Sequence, residues 1–391
     1  MARSLTPVSL PALAIGLALL CPAHGQAAPI EPEELRTETL PAAWNPHWIW
    51  VNDVSFSRMP DGRAYLIDGD SGRFLGMVSA GYSHTLLQMT PAGAEFAVPS
   101  TYYSRGSRGE RTDVVTLYDK ATLTPGEEVV IPPRRYIGAP FVGAMAATDD
   151  GRFSLIYNFT PEQSVTVVDL VARKVVGEFP TPGCGLIYPL GPRRFFMQCA
   201  DSSLQAVSIA PDGRLTLGER TAKLFADGDP ATEKPVRIAP DRWLLFTYSG
   251  EIHEVDGGGG QLKAGLAWRL TDAATSGWRI GGLQPAAFHT RTNRLFALMH
   301  RGGDGTHKDP GTEVWVYDAR IGRRLERRKL AAPATSVAVS SDEQPLLFTV
   351  MAGVRDLVVY DAATGAKLRV VDQLGDALSY LQPAPLAEPT R

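Results

Sequence analysis

Cysteine is scarce in this chain: Cys21, Cys184 and Cys199 are the only three among 391 residues. No histidine or carboxylate cluster accompanies the later two, so a cysteine-ligated metal site is not expected. Long apolar runs are missing as well. Beyond residue 27 no stretch approaches the roughly 18 uninterrupted apolar residues of a spanning helix, so no membrane partner is expected. There is no basic excess. The formal net charge is −3, which gives no reason to expect a nucleic-acid partner. Familiar catalytic signatures are also absent. Neither G-x-S-x-G nor H-E-x-x-H occurs, and His47, His84, His253, His289, His300 and His307 are scattered without helical ligand spacing. The adjacent Asp149 and Asp150 precede Gly151, where a turn role is sufficient. On chemistry alone, the chain reads as a scaffold or binding subunit with no catalytic residue and no metal site of its own.

The first segment reads as a secretory signal rather than as structure. Arg3 is a short positive region, residues 8–20 are apolar, and small residues follow, with cleavage expected near residues 25–27. Residues 1–27 are therefore set aside, and an exported, periplasmic chain is expected. Export leaves Cys184 and Cys199. An even pair at this separation most simply forms a disulfide across adjacent strands, with two buried free thiols as the alternative. Closing such a loop contributes on the order of 3 kcal/mol in the chain-entropy model.

What the chain has in abundance is one repeated pattern. Residues 313–330, EVWVYDARIGRRLERRKL, read as a strand, a turn with Gly322 free to take positive φ, and a return strand. The pattern recurs at residues 64–78, 113–130, 164–179, 204–217, 251–264 and 356–371. Six of the seven copies end the first strand with an aspartate: Asp68, Asp119, Asp169, Asp256, Asp318 and Asp361. Ala210 stands at that place in the fourth copy. The mean spacing of about 49 residues suits a four-stranded blade. A lone four-stranded sheet cannot bury both faces, whereas seven stacked radially can. The expectation is an all-β, seven-bladed β-propeller, with a β-sandwich or β-solenoid as the competing arrangement.

Around the propeller, expected over residues 46–381, the reading assigns 28–45 to an N-terminal arm and 382–391 to a frayed tail. Residues 100–113 hold Tyr102, Tyr103, Arg105, Arg108, Glu110, Arg111 and Asp113. They read either as a solvated charged loop or as a partner-contacting one. Thr271 is a candidate cap for a short helical turn ended by Gly277. The four glycines 257–260 read as a hairpin tip, since they lack the strand–helix context of a nucleotide loop.

Several stretches carry a family resemblance. They are MHRGGDGTHKDPGTEVWVYD at 299–318, WVND at 50–53, DGDSGRFLGMV at 68–78, SRGSRGERTDVV at 104–115, FFMQCADSSL at 195–204 and YSGEIHEVD at 248–256. Together they resemble the heavy subunit of the amine dehydrogenases that carry tryptophan tryptophylquinone, the methylamine and aromatic amine dehydrogenase family. SGWRIGG at 276–282 is similar to a family segment in which proline stands at the place of Ile280. The resemblance implies the quinoprotein amine dehydrogenase type of seven-bladed propeller, with a heavy-chain disulfide at the Cys184/Cys199 position. It further implies a periplasmic assembly of two heavy and two light chains. The quinone and the catalytic base would belong to the light chain, so no cofactor is expected in this chain. That enzyme oxidises a primary amine to an aldehyde and ammonia and passes electrons to a blue copper protein of the amicyanin or azurin type. A phenylalanine shortly after the WVND-like strand lines the substrate channel in the family. Phe56 is the matching residue here, and a Phe packed into the first blade is the alternative. Two other classes compete: a lactonase-like hydrolase, which needs a central ring of carboxylate and amide ligands for a hard cation, and a non-enzymatic binding propeller.

Overall fold

The computed structural model describes residues 38–54, 58–82, 86–89 and 93–385. All strands lie in the compact unit Thr39–Arg391. Seven antiparallel sheets follow one another along the chain and form the expected seven-bladed β-propeller. Each sequence repeat supplies the two outer strands of one blade. In the first blade they are Gly62–Asp68 and Phe74–Gly81, and in the sixth Gly311–Asp318 and Arg323–Ala334. The fourth blade is complete despite Ala210. Asp212, two residues further on, accepts from the Arg214 N–H at 3.1 Å inside the turn.

The repeated aspartates have a local physical role. Asp119 accepts from the N–H groups of Ala121 and Thr122 at 3.0 and 2.8 Å, and Asp361 from those of Ala363 and Thr364 at 2.9 and 2.7 Å. Such Asx turns tie the hairpin to its own strand end. The bonded Thr122 and Thr364 N–H groups hold both carboxyls below the usual range. Gly322 takes φ 62°, and a Cβ there would stand 2.6 Å from Trp268 on the neighbouring blade.

Alternation along each strand explains why the blades stack. In Arg242–Phe246, Leu244 and Phe246 face the sixth blade while Leu245 faces the fourth. Seven apolar clusters result, one in each gap between neighbouring blades. Two blades depart from the four-strand pattern. The second has three strands, Glu95–Tyr103, Arg111–Asp119 and Pro125–Ile131, with a Gln88–Ala97 bridge in place of an inner strand. The sixth has its inner edge split into Trp278–Ile280 and Ala286–His289. The helical turn near residue 273 is short, as expected, but shifted by one residue. It spans Ala273–Thr275, and its cap is Asp272, which accepts from the Thr275 N–H at 3.0 Å, not Thr271.

The ring closes with Leu378–Pro383, the innermost strand of the first blade, which pairs with Trp48–Asp53. A second link joins the first and seventh blades. His47 sits between Asp70 (Nδ1 to Oδ1, 2.7 Å) and Asp342 (Nε2 to Oδ2, 3.1 Å). Burial opposes charge on the ring, but the two carboxylates outweigh it and raise the His47 pKa above its ordinary 6.5. A group raised in the folded state contributes stability fully below its unfolded pKa and loses it as pH rises through the folded value. The gap in melting temperature between the parent and His47→Gln should therefore be largest below pH 6.5 and shrink as the pH rises above it. A gap that widens with pH would contradict this assignment.

Cys184 and Cys199 form a disulfide between directly opposed positions of Cys184–Pro189 and Arg194–Cys199, the two inner strands of the fourth blade. The free-thiol alternative is thereby set aside.

Candidate functional site

Because neighbouring strands are antiparallel, connections alternate between the two ends of the propeller. One end gathers the loops between second and third strands, including residues 104–110, 159–163, 247–250 and 302–310. The passages from each outer strand to the next blade emerge at the same end, including residues 132–144, 221–235 and 372–377.

Phe56, the expected channel residue, lies outside the described residues, as does His84. The described flanks of Phe56 are firmly held. Asp53 is fully buried and accepts from the Asp376 and Ala377 N–H groups, both at 2.9 Å. Tyr65 Oη donates to the same carboxylate at 3.1 Å. Arg58 pairs with Asp376 at 2.7 Å and Asp61 at 3.3 Å. Backbone and ion-pair contacts thus fix the chain on both sides of the WVND strand's exit.

An aromatic cavity of about 460 Å³ opens between the second and third blades. Tyr136 and Phe141 stack at 5.7 Å with their planes 7° apart, and Phe159 meets Tyr136 edge-on at 5.8 Å. Phe159 is 51% exposed at the wall of this cavity. Arg111 and Arg135 line the same cavity, and both depend on Asp113. The Asp113 carboxylate accepts from Arg111 Nε and Nη2 at 2.8 and 2.7 Å, Thr101 Oγ1 at 2.8 Å and the Arg135 N–H at 3.0 Å. Arg135 Nε donates to Thr101 Oγ1 at 3.1 Å, and its Nη2 to the Tyr82 carbonyl. Burial pulls the Arg135 guanidinium down to about 10. In the sequence Arg111 and Asp113 group with the charged loop. Residues 104–110 are indeed largely exposed, but Arg111 and Asp113 begin the next strand, and Asp113 is fully buried. The available signal was their i, i+2 spacing, which places both on one face of a strand.

On the axis, toward the other end, a cavity of about 640 Å³ is lined by Gln88, Met89, Asp149, Arg237, Trp243 and Gln382. Asp149 is more than a turn residue. It makes a bidentate pair with Arg237 at 2.8 and 2.7 Å, which ties the third blade to the fifth, while Asp150 serves the turn. Among the described residues no three His, Cys, Asp or Glu converge as a metal site. The hydrolase reading gains no support from this geometry. The tryptophans in mutual ring contact are Trp44 with Trp48 and Trp50, and Trp278 with Trp315. All five are buried in blade cores, and none lines the aromatic cavity.

The family profile described as methylamine dehydrogenase heavy chain (MADH) matches residues 46–382, the length of the propeller. The chain belongs to the methylamine dehydrogenase heavy chain family. Curated members agree. The methylamine dehydrogenase heavy chain of Paracoccus versutus is 35% identical over 318 residues, covering 80% of this chain and 73% of that one. The corresponding chain of Methylorubrum extorquens is 33% identical over 317 residues, covering 80% and 76%. Among solved structures, a putative 6-phosphogluconolactonase from Bacteroides fragilis has a TM-score of 0.59 at 11% identity, covering 91% of this chain and all of that one. That likeness shows the propeller fold alone. The motif resemblance is thus a family relationship spanning the propeller, and the heavy-chain disulfide it implies is formed.

Proposed function

We propose that this chain is the heavy, non-catalytic subunit of a periplasmic quinoprotein amine dehydrogenase. The observation that carries the reading is the family match along the whole propeller. In this reading two heavy and two light chains assemble, and the loop-bearing end holds the light chain and walls its substrate channel. The tryptophan tryptophylquinone of the light chain supplies the redox chemistry that turns a primary amine into an aldehyde and ammonia. Electrons then leave to a blue copper protein of the amicyanin or azurin type. The exposed Phe159 and the aromatic cavity favour a partner at this end, since aromatic and arginine side chains concentrate at interfaces.

The test is co-expression with the light chain of the same host. The purified complex should oxidise an amine with a dye acceptor, and this chain alone should not. Turnover by this chain alone would overturn the division of labour.

The proposed channel role of Phe56 has its own test. Pocket walls discriminate by about 1–3 kcal/mol per methylene-sized change. Phe56→Ala should shift the ratio of kcat/KM between short and bulky amines in the complex by roughly 10- to 100-fold, with little change in melting temperature. A large stability loss with unchanged selectivity would place Phe56 in the first blade's core instead, where truncation costs about 3–5 kcal/mol.

A further inference from the structure

Where the axis opens at the loop-bearing end, a second cavity of about 280 Å³ is walled by Phe141, Val142, Leu283, Tyr380, Glu233 and Lys234. Lys234 also borders a smaller axial cavity of about 120 Å³. Its side chain is only 8% exposed. The Nζ donates to the Gly282 carbonyl at 2.6 Å, lies 3.5 Å from the His307 carbonyl, and stands 3.9 Å from Glu233 Oε1. The surroundings are rigid. His307 stacks on Tyr248 at 3.9 Å, and a Cβ on Gly281 would meet the Asp309 carbonyl at 2.4 Å.

A lysine is a costly way to satisfy two backbone carbonyls, because burial penalises its ammonium. That burial outweighs Glu233 and holds the Lys234 amine below its ordinary pKa, and Lys308 pushes the same way. The cavity is lined mainly by apolar side chains, with Lys308 and Ser379 also on its wall, and a desolvated lysine facing such a space is a usual setting for imine formation with a carbonyl compound.

We propose that Lys234 is a reversible carbonyl-capture site, which condenses with a small aldehyde entering the axial cavity. The neutral Nζ adds to the carbonyl carbon and forms a C–N bond. The nitrogen gives up both of its protons in turn, the carbonyl oxygen takes them and leaves as water, and a C=N bond remains. No oxidant or reductant is required. Glu233, 3.9 Å away, is placed to relay these protons. The space suits an aldehyde of several carbons, since one water occupies about 30 Å³ of liquid. The inference rests on the proposed function only for the source of the aldehyde, an amine-oxidising partner docked at this end.

The test uses the purified chain with added propionaldehyde and cyanoborohydride, which fixes an imine as a secondary amine. Peptide mapping then compares sites within one sample. Lys234 should be labelled several-fold faster than Lys223, which is half exposed on the surface. Lys234→Arg keeps a cation and a donor toward Gly282 but cannot form the imine, so the fast phase should vanish and surface labelling persist. Labelling of Lys234 no faster than that of Lys223, or a fast phase surviving in Lys234→Arg, would overturn the proposal. The mapping in the parent chain stands even if the variant folds poorly. Because the aldehyde is added, the outcome is independent of whether the chain assembles an amine dehydrogenase.

Discussion

Deleting residues 378–391 should leave a chain without a cooperative thermal transition. The deletion removes Leu378–Pro383, the innermost strand of the first blade. Leu378, Tyr380 and Leu381 are all buried, and at about 1.5–3 kcal/mol each their loss approaches the whole stability of a typical domain, about 5–15 kcal/mol. The strand also satisfies polar groups on three other segments. The Gln284 amide exchanges bonds with the Leu381 N–H and carbonyl at 2.8 and 2.9 Å, and the Gln382 amide does the same with Leu87 at 2.9 and 2.7 Å. Asn52 Nδ2 donates to the Tyr380 carbonyl at 3.3 Å. Each buried group left unpaired adds a penalty of about 1–3 kcal/mol. Circular dichroism melting and limited proteolysis of the truncated chain provide the check. A cooperative melt within a few degrees of the parent would show that the other six blades and an opened first blade suffice. Leu381→Ala is the milder version, expected to cost about 2–5 kcal/mol while leaving the ring closed.

The closing strand illustrates what the sequence could and could not disclose. The outer hairpins were legible because their signals are local: an alternating strand, an aspartate capping its own turn, a short return. Inner strands such as Met145–Ala147 and Ser336–Val339 are short and mostly apolar or small, with no turn chemistry to mark them. Leu378–Pro383 pairs with a strand from the opposite end of the chain, and no local pattern encodes a non-local partner. The same limit applies to the aromatic cavity. Tyr136, Phe141, Phe159 and Leu186 are spread over 51 positions and meet only because two blade junctions bring them together. The cavity beside Lys234 is more dispersed still, with Lys234 contributed by a connection between blades and Tyr380 by the closing strand. Charges mislead in a different way. Arg111 and Asp113 follow directly on an exposed charged loop, and only the strand's orientation reveals that the carboxylate points inward. Family membership was readable early because its motifs are contiguous stretches.

Asp113→Ala should be the most damaging single substitution near the aromatic cavity, at about 3–5 kcal/mol. Removing one member of a buried ion pair costs that much because the remaining charge stays desolvated. Asp113 is fully buried, and its carboxylate receives two N–H groups from Arg111, one backbone N–H from Arg135 and the Thr101 hydroxyl. Arg111 also donates to the Arg135 carbonyl at 2.6 Å, so losing the carboxylate loosens both arginines at the cavity wall. Arg135 has no solvent route of escape, being buried itself, whereas Arg111 is partly exposed and can turn outward. Arg111→Met should therefore cost distinctly less than Asp113→Ala, and Asp113→Asn should fall between them because an amide still accepts from Thr101 and the backbone. Chemical denaturation of the three variants gives the order directly. The functional consequence follows from position: the cavity's guanidinium wall should lose its shape before the propeller unfolds. Asp113→Asn should thus weaken recovery of the light chain in co-purification at temperatures where the variant remains folded by circular dichroism. A cost below about 1 kcal/mol for Asp113→Ala would mean that water or a rearranged arginine replaces the carboxylate, and the cavity wall would then owe its geometry to the aromatic stack alone.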